Sequence, residues 1–105
     1  MSAQVEVKHF ELGHRGAFYI ERDGERVAEQ TYSRTPDGKT AIIAHTEVSE
    51  SLRGEGIART LTLSTVAWAR ASGVKIVPVC PFAKAVFDRD PDLRDVLQST
   101  VTSST

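Results

Sequence analysis

The sequence predicts an α/β fold: a mixed, mainly antiparallel sheet with one main helix and a short helix after the fifth strand. Three features of the chain lead there. Its first half is a succession of β-type runs broken by tight-turn signals. A single long run with helical spacing begins at Gly56. The apolar run VKIVPV follows that helix, so strand, helix and strand succeed one another as in a crossover connection.

The first strand lies in VEVKHFEL, which alternates through Val5, Val7 and His9, and the second in GAFYIER, rich in aromatic and β-branched residues. The short GHRG between them is a turn. Asp23-Gly24 opens RDGERVAEQTYSR and is the strongest hairpin signal in the chain. Pro36, Asp37 and Gly38 supply another turn, after which TAIIAHTEV completes a four-strand antiparallel meander. In the main helix Ile57, Leu61, Ser64, Trp68 and Ala71 share one face, and Arg59, Thr62, Val66 and Arg70 the other. Gly73 stands where a helix C-terminus expects it. Pro81 suits the first position of a second helix that ends at Asp90-Pro91, before a short turn in DLRDVL. The polar tail over 98–105 is expected to fray, which leaves 1–97 as one domain.

Composition narrows the function. A chain of 105 residues holds one core, and 40% hydrophobic with 26% charged residues is globular rather than disordered composition. Thirteen Lys and Arg against fourteen Asp and Glu give a charge of -1, so no basic field draws the chain to nucleic acid or an anionic membrane. MSAQVEVKHF lacks the apolar core of a signal peptide, and no run is long enough to cross a bilayer, so the expected location is the cytoplasm. One cysteine excludes an internal disulfide, and the absence of Asn excludes N-glycosylation. His9 and His14 have no ligand spacing, so no metal site is assigned.

The chemistry concentrates in RGEGIAR, where strand becomes helix. Free amides at a helix start, with the helix dipole, attract an anion; glycines let a phosphate approach, and Arg53 adds a forked donor. The same residues also suit a plain turn beside a solvated arginine. A dinucleotide fingerprint needs glycine where Arg59 stands, and a P-loop needs Gly-Lys-Ser/Thr, so both are excluded.

Arg53, Gly56 and Ala58 fall in the fixed places of the R/Q-x-x-G-x-G/A signature, and the chain resembles the GNAT acetyltransferase superfamily. HTEVSESLRGEGIARTL followed by VPVCPFAKAVF is similar, more narrowly, to its very small stand-alone members, over Tyr32 to Leu97. The resemblance implies a GNAT-like sheet whose fourth and fifth strands splay apart around the pantetheine arm of acetyl-CoA. It places the pyrophosphate on the amides of Gly54, Glu55, Gly56, Ile57 and Ala58, and the pantetheine against the backbone of Thr46, Glu47 and Val48. Phe82 and Lys84 would flank the adenosine part; on their own they read equally as a core aromatic and a solvated lysine.

The chain departs from the superfamily in two places. GHRG replaces the helices that bind the acceptor in larger members, and Phe87 stands where a tyrosine commonly protonates the leaving thiolate. His45 and Glu47 share a strand face and are candidate general bases, or else a structural histidine and a rim carboxylate. Cys80 falls at a helix start after strand five, where the dipole and free amides stabilise a thiolate. The resemblance places it near the thioester, as a transient acetyl acceptor or a contact to the cofactor sulfur; an inert core thiol is the alternative. The implied function is acetyl-CoA-dependent N-acetylation of an unidentified amine on a small molecule or protein, by a monomer or weak homodimer. A CoA-binding sensor or adaptor without efficient turnover is the second reading, and an interaction domain whose glycine loop is only a turn is the third.

Overall fold

A computed structural model describes residues 6–52 and 56–98. Strands β1 (Lys8–Leu12), β2 (Arg15–Arg22), β3 (Glu25–Arg34) and β4 (Thr40–Val48) form an antiparallel meander. Asp23 and Gly24 both take left-handed conformations, φ 54° and 80°, as a two-residue hairpin turn requires. The chain then passes through a 3-10 turn (Glu50–Leu52) and helix α1 (Ile57–Ser72) to β5 (Lys75–Pro78), which lies parallel to β4 in the order β1-β2-β3-β4-β5. Helix α2 (Pro81–Arg89) and a 3-10 turn (Pro91–Val96) follow, with Pro81 in the first turn of α2. The α/β class, the element order and the mainly antiparallel sheet are those the sequence predicts.

Helix α1 lies across β2 to β5 and closes the core, where Phe18, Ile20, Tyr32, Ile43 and Ile76 of the sheet meet Leu61, Val66 and Ala69 of the helix. α2 and the second 3-10 turn pack beside α1 and add Phe87, Leu93 and Val96. This second flank corrects the helical faces read from spacing. Thr62 and Val66, grouped on one face with Arg59 and Arg70, are buried; Ala71, grouped with Ile57 and Leu61, is exposed; Ser64 and Trp68 are half-buried. The buried residues Ile57, Leu61, Thr62, Thr65, Val66 and Ala69 form a broad stripe because α1 is covered both by the sheet and by α2. Threonine fits that stripe because its hydroxyl finds a partner there: Thr62 bonds the Ala58 carbonyl at 2.9 Å within the helix, and Thr65, 3.0 Å from the Leu61 carbonyl, gives its proton to Gln30 Oε1 at the shorter distance of 2.7 Å.

Candidate active site

β4 alternates inward through Ala41 and Ile43, then breaks phase. Across β3, Tyr32 pairs with Ile43 and Thr31 with His45, so Ala44 is an extra residue, a β-bulge. Beyond it the inward positions are Thr46, which is buried, and Val48, which is half-buried. His45 and Glu47 point to the uncovered face, 57% and 68% exposed, with His45 Nε2 3.1 Å from Glu47 Oε2. They do share a face, as spacing predicts, but the bulge puts it opposite that of Ile43.

The same stretch is where β4 and β5 part. Their pairing runs from Thr40–Lys75 to Ile43–Pro78. The Ile43 carbonyl then accepts from both Val79 and Cys80 amides, at 3.1 and 3.0 Å. Beyond that tie β4 continues to Val48 paired only with β3, while the other arm turns into α2. The divergence opens onto a groove of about 830 Å³ whose lining includes Thr46, Glu47, Val48, Ser49, Leu52, Gly56, Ile57, Ala58, Arg59 and Phe82. Arg26, Val27, Ala28 and Glu29 of β3 extend one side of it.

At the groove's end stands the start of α1. Gly56 is its N-cap with φ 70°, no side chain caps that end, and no acidic residue lies in its first turn. A Cβ on Gly56 would meet no atom within 4 Å, so the backbone is open to the groove. The first amides of a helix have no intrahelical acceptor and carry its positive end, which makes Gly56, Ile57 and Ala58 a cradle fitting a phosphate. Arg59, also in the lining, is held by Asp90 at 2.9 Å. Arg53, Gly54 and Glu55 lie outside the described residues.

Cys80 is the N-cap of α2 and is 3% exposed. It does not line the groove; its Sγ lies 3.1 Å from Thr46 Oγ1, and Thr46 does line it. Thr46 also accepts from Gln30 Nε2 at 3.2 Å. Gln30 is a site residue that motif reading missed. Its only sequence signal is a polar side chain in the inward register of β3, between Ala28 and Tyr32, where an apolar residue is expected. Phe82 is 60% exposed and in the lining, so it is not a core aromatic. Lys84 is exposed, pairs with Asp88 at 3.2 Å along α2 and stands off the groove. Phe87 is buried in the core. Among the described residues no three His, Cys, Asp or Glu side chains gather as a metal site, and no helix is long and apolar enough to cross a membrane.

A family model described as GCN5-related N-acetyl-transferase matches residues 17–96, more than half of the chain. The chain belongs to the GCN5-related N-acetyltransferase family. Among solved structures, a GCN5-like protein from Staphylococcus aureus is 33% identical, with 90% of this chain and 88% of that one covered and a TM-score of 0.67. A ribosomal-protein-alanine N-acetyltransferase from Brucella melitensis biovar Abortus 2308 (22% identity, TM-score 0.55) shares the fold over 83% of this chain. So does the aminoglycoside N-acetyltransferase AAC(6')-Iy in complex with CoA (17%, TM-score 0.55) over 72%. This chain spans 66% of each of those two larger enzymes. A search among curated proteins finds no match. Membership makes the chain an acyl-CoA N-acyltransferase by family.

Proposed function

We propose that this protein transfers the acetyl group of acetyl-CoA to a primary amine presented on the uncovered side of the sheet. The observation that carries the reading is the divergence of β4 from β5 beyond Ile43, opening onto the uncapped start of α1 at Gly56. That geometry fits an extended arm ending in phosphates. The open edge of β4 from Thr46 to Val48 offers backbone groups to the pantetheine amides, and the amides of Gly56, Ile57 and Ala58 face the pyrophosphate. Phe82 offers an exposed ring beside the groove for the adenosine portion. AAC(6')-Iy, a neighbour in fold alone, is a CoA complex, which agrees with this use of the groove.

Acetyl-CoA supplies an activated acyl group; the protein's work is to hold it and manage protons. The His45–Glu47 pair stands on the uncovered face beside the bulge, where the carboxylate orients the imidazole as acceptor of the amine proton, directly or through a water. With no acceptor-binding helices between β1 and β2, where only Gly13 and His14 intervene, the acceptor approaches over an open surface. Cys80 lies behind Thr46 and contacts the sulfur end through that hydroxyl rather than taking the acetyl group itself.

Calorimetry with CoA, followed by mass spectrometry of acetyl transfer to spermidine and to a lysine-bearing peptide, tests the proposal. Binding in the micromolar range with mass gain on an amine is expected. Absence of CoA binding overturns the groove assignment. Binding with no transfer to any amine overturns the enzymatic reading in favour of a CoA sensor.

A further inference from the structure

Five side chains from four elements form one buried polar network behind the groove. Gln30 on β3, Thr62 and Thr65 on α1 are fully buried, and Thr46 on β4 and Cys80 at the start of α2 are 4% and 3% exposed. Gln30 Nε2 donates to Thr46 Oγ1 at 3.2 Å and to Thr62 Oγ1 at 2.9 Å, and its Oε1 accepts from Thr65 at 2.7 Å.

Proton counting fixes the direction of these bonds. In this orientation both amide protons of Gln30 are used, Thr62 passes its own proton to the Ala58 carbonyl, and Thr65 supplies the proton for Gln30 Oε1. Flipping the amide leaves one of its protons facing no acceptor in a fully buried site, a cost that protein interiors avoid. Gln30 is therefore a donor to Thr46. Cys80 Sγ donates to the same oxygen at 3.1 Å. With the Cys80 thiol donating, both lone pairs of Thr46 Oγ1 are engaged and its proton turns to the groove, on whose wall Thr46 is the network's one member; with no ligand there the same proton turns back to Cys80 Sγ.

The groove sets what that proton meets. The phosphate cradle at Gly56 lies past the C-terminal end of β4, so an arm held there runs back along β4 toward the Ile43 tie. On the reading of the groove as the acetyl-CoA site, its far end, the thioester, comes to Thr46, the lining residue of β4 closest along the strand to that tie.

We propose that the Thr46 hydroxyl donates a hydrogen bond to the CoA sulfur, and that Gln30 is the positioning residue that aims it there. The inference rests on the groove being the acetyl-CoA site. It supplies what Phe87 cannot: a proton donor for the departing thiolate. As the amine attacks, the C–S bond breaks and its electron pair goes to sulfur, which takes the Thr46 proton. The Cys80 thiol proton moves to Thr46. The surplus proton of the new amide nitrogen leaves to the His45–Glu47 pair or to water, and water entering after CoA departs returns a proton to Cys80 through Thr46. The network also bonds to the Ala58 carbonyl in the first turn of α1, so one buried glutamine ties the phosphate end of the groove to its sulfur end.

The test reads the sulfur directly and needs no acceptor amine. The thiol of protein-bound CoA is titrated by its thiolate absorbance, as a difference against the protein bound to desulfo-CoA, which cancels Cys80. In the wild type the midpoint is expected below that of free CoA by about one pH unit, the tenfold change a hydrogen bond to a charged sulfur supplies. Thr46→Val returns it to the free value while CoA still binds, Thr46→Ser keeps it low, and Gln30→Leu raises it with Thr46 intact. If the leucine variant fails to fold, hydrogen exchange of the Gln30 side-chain amide in the wild type replaces it, with both protons expected to be protected. Failure of the wild type to bind CoA overturns the groove reading beneath the proposal. CoA binding with an unshifted midpoint, or a Thr46→Val midpoint equal to wild type, overturns the Thr46 assignment alone. An unshifted Gln30→Leu midpoint, or a freely exchanging Gln30 amide, overturns the role of Gln30.

Discussion

Thr31 faces His45 across the β3–β4 ladder while Tyr32, the next residue, faces Ile43, and Ala44 is left with no partner on β3. This one extra residue lies just past the last residue of β4 paired with β5, and a bulge bends the strand that carries it. Deleting Ala44 keeps Ile43 opposite Tyr32 and His45 opposite Thr31, so the faces of Thr46 and Glu47 are retained and only the bend is lost. The expected result is a folded protein with β4 straightened against β5 and CoA affinity reduced at least about tenfold, or about 1.4 kcal/mol. Circular dichroism and calorimetry on the deletion check it; unchanged affinity would show that the bulge does not open the groove.

Gly56 and Gly73 cap the two ends of α1 with nearly the same geometry, φ 70° and 71°, and a Cβ on either meets nothing within 4 Å. An alanine at either position carries the left-handed strain of roughly 1–2 kcal/mol. Gly56→Ala and Gly73→Ala should therefore lower the melting temperature alike, while Gly56→Ala alone weakens CoA by tenfold or more, because its methyl occupies the phosphate approach. Thermal melts with and without CoA separate the two effects. Equal CoA affinity in both variants removes the phosphate from this helix start.

Much of this architecture was legible in the sequence, because turn chemistry is local. Asp23-Gly24, Pro36-Asp37-Gly38, Gly73 and Pro81 each mark a break that the backbone obeys. The glycine at the start of α1 was legible for the same reason. The bulge was not: Ala41 to Ala44 are apolar without a break, and an alanine is tolerated on either face, so no change of phase marks Ala44 as extra. The burial of Thr62 and Thr65 was hidden by a helical wheel that supposes one covered face, whereas α2 covers a second. Gln30 and Cys80 are 50 residues apart in the chain and meet only through Thr46, a relation that no spacing rule expresses.

His9 stacks on Phe18 with ring centroids 4.1 Å apart and reaches Tyr32 Oη at 2.7 Å, while Tyr32 donates to Glu11 at 2.9 Å. Burial, with the Glu11 bond added, pushes the Tyr32 hydroxyl far up, so it stays a phenol. Burial also holds the His9 imidazole below its ordinary value near 6.5, with Glu11 opposing only in part. The unfolded chain then takes up this proton first. The His9 contribution to stability is complete above the ordinary value and is lost as pH falls through it toward the lower folded value. The melting temperature should fall between pH 7.5 and 5.5, and His9→Phe should flatten that slope. An identical slope in the variant assigns the loss to other groups.

Phe82 and Lys84 sit two residues apart on α2 and make opposite predictions. Phe82 is 60% exposed and borders the groove, so Phe82→Ala should change stability by no more than about 0.5 kcal/mol. If its ring covers the adenosine portion, the same substitution removes an aromatic contact of about 0.5–1.5 kcal/mol, a loss of roughly two- to tenfold in CoA affinity. Lys84 is tied to Asp88 along the helix in an exposed pair and stands off the groove. Lys84→Ala should leave CoA affinity within about twofold and stability within the few tenths of a kcal/mol that such pairs supply. Calorimetry of both variants with CoA and with pantetheine, which lacks adenosine, gives the decisive comparison. The Phe82 loss should appear with CoA and vanish with pantetheine. A Lys84 loss as large as that of Phe82 would move the adenosine portion out of the groove and over the exposed face of α2.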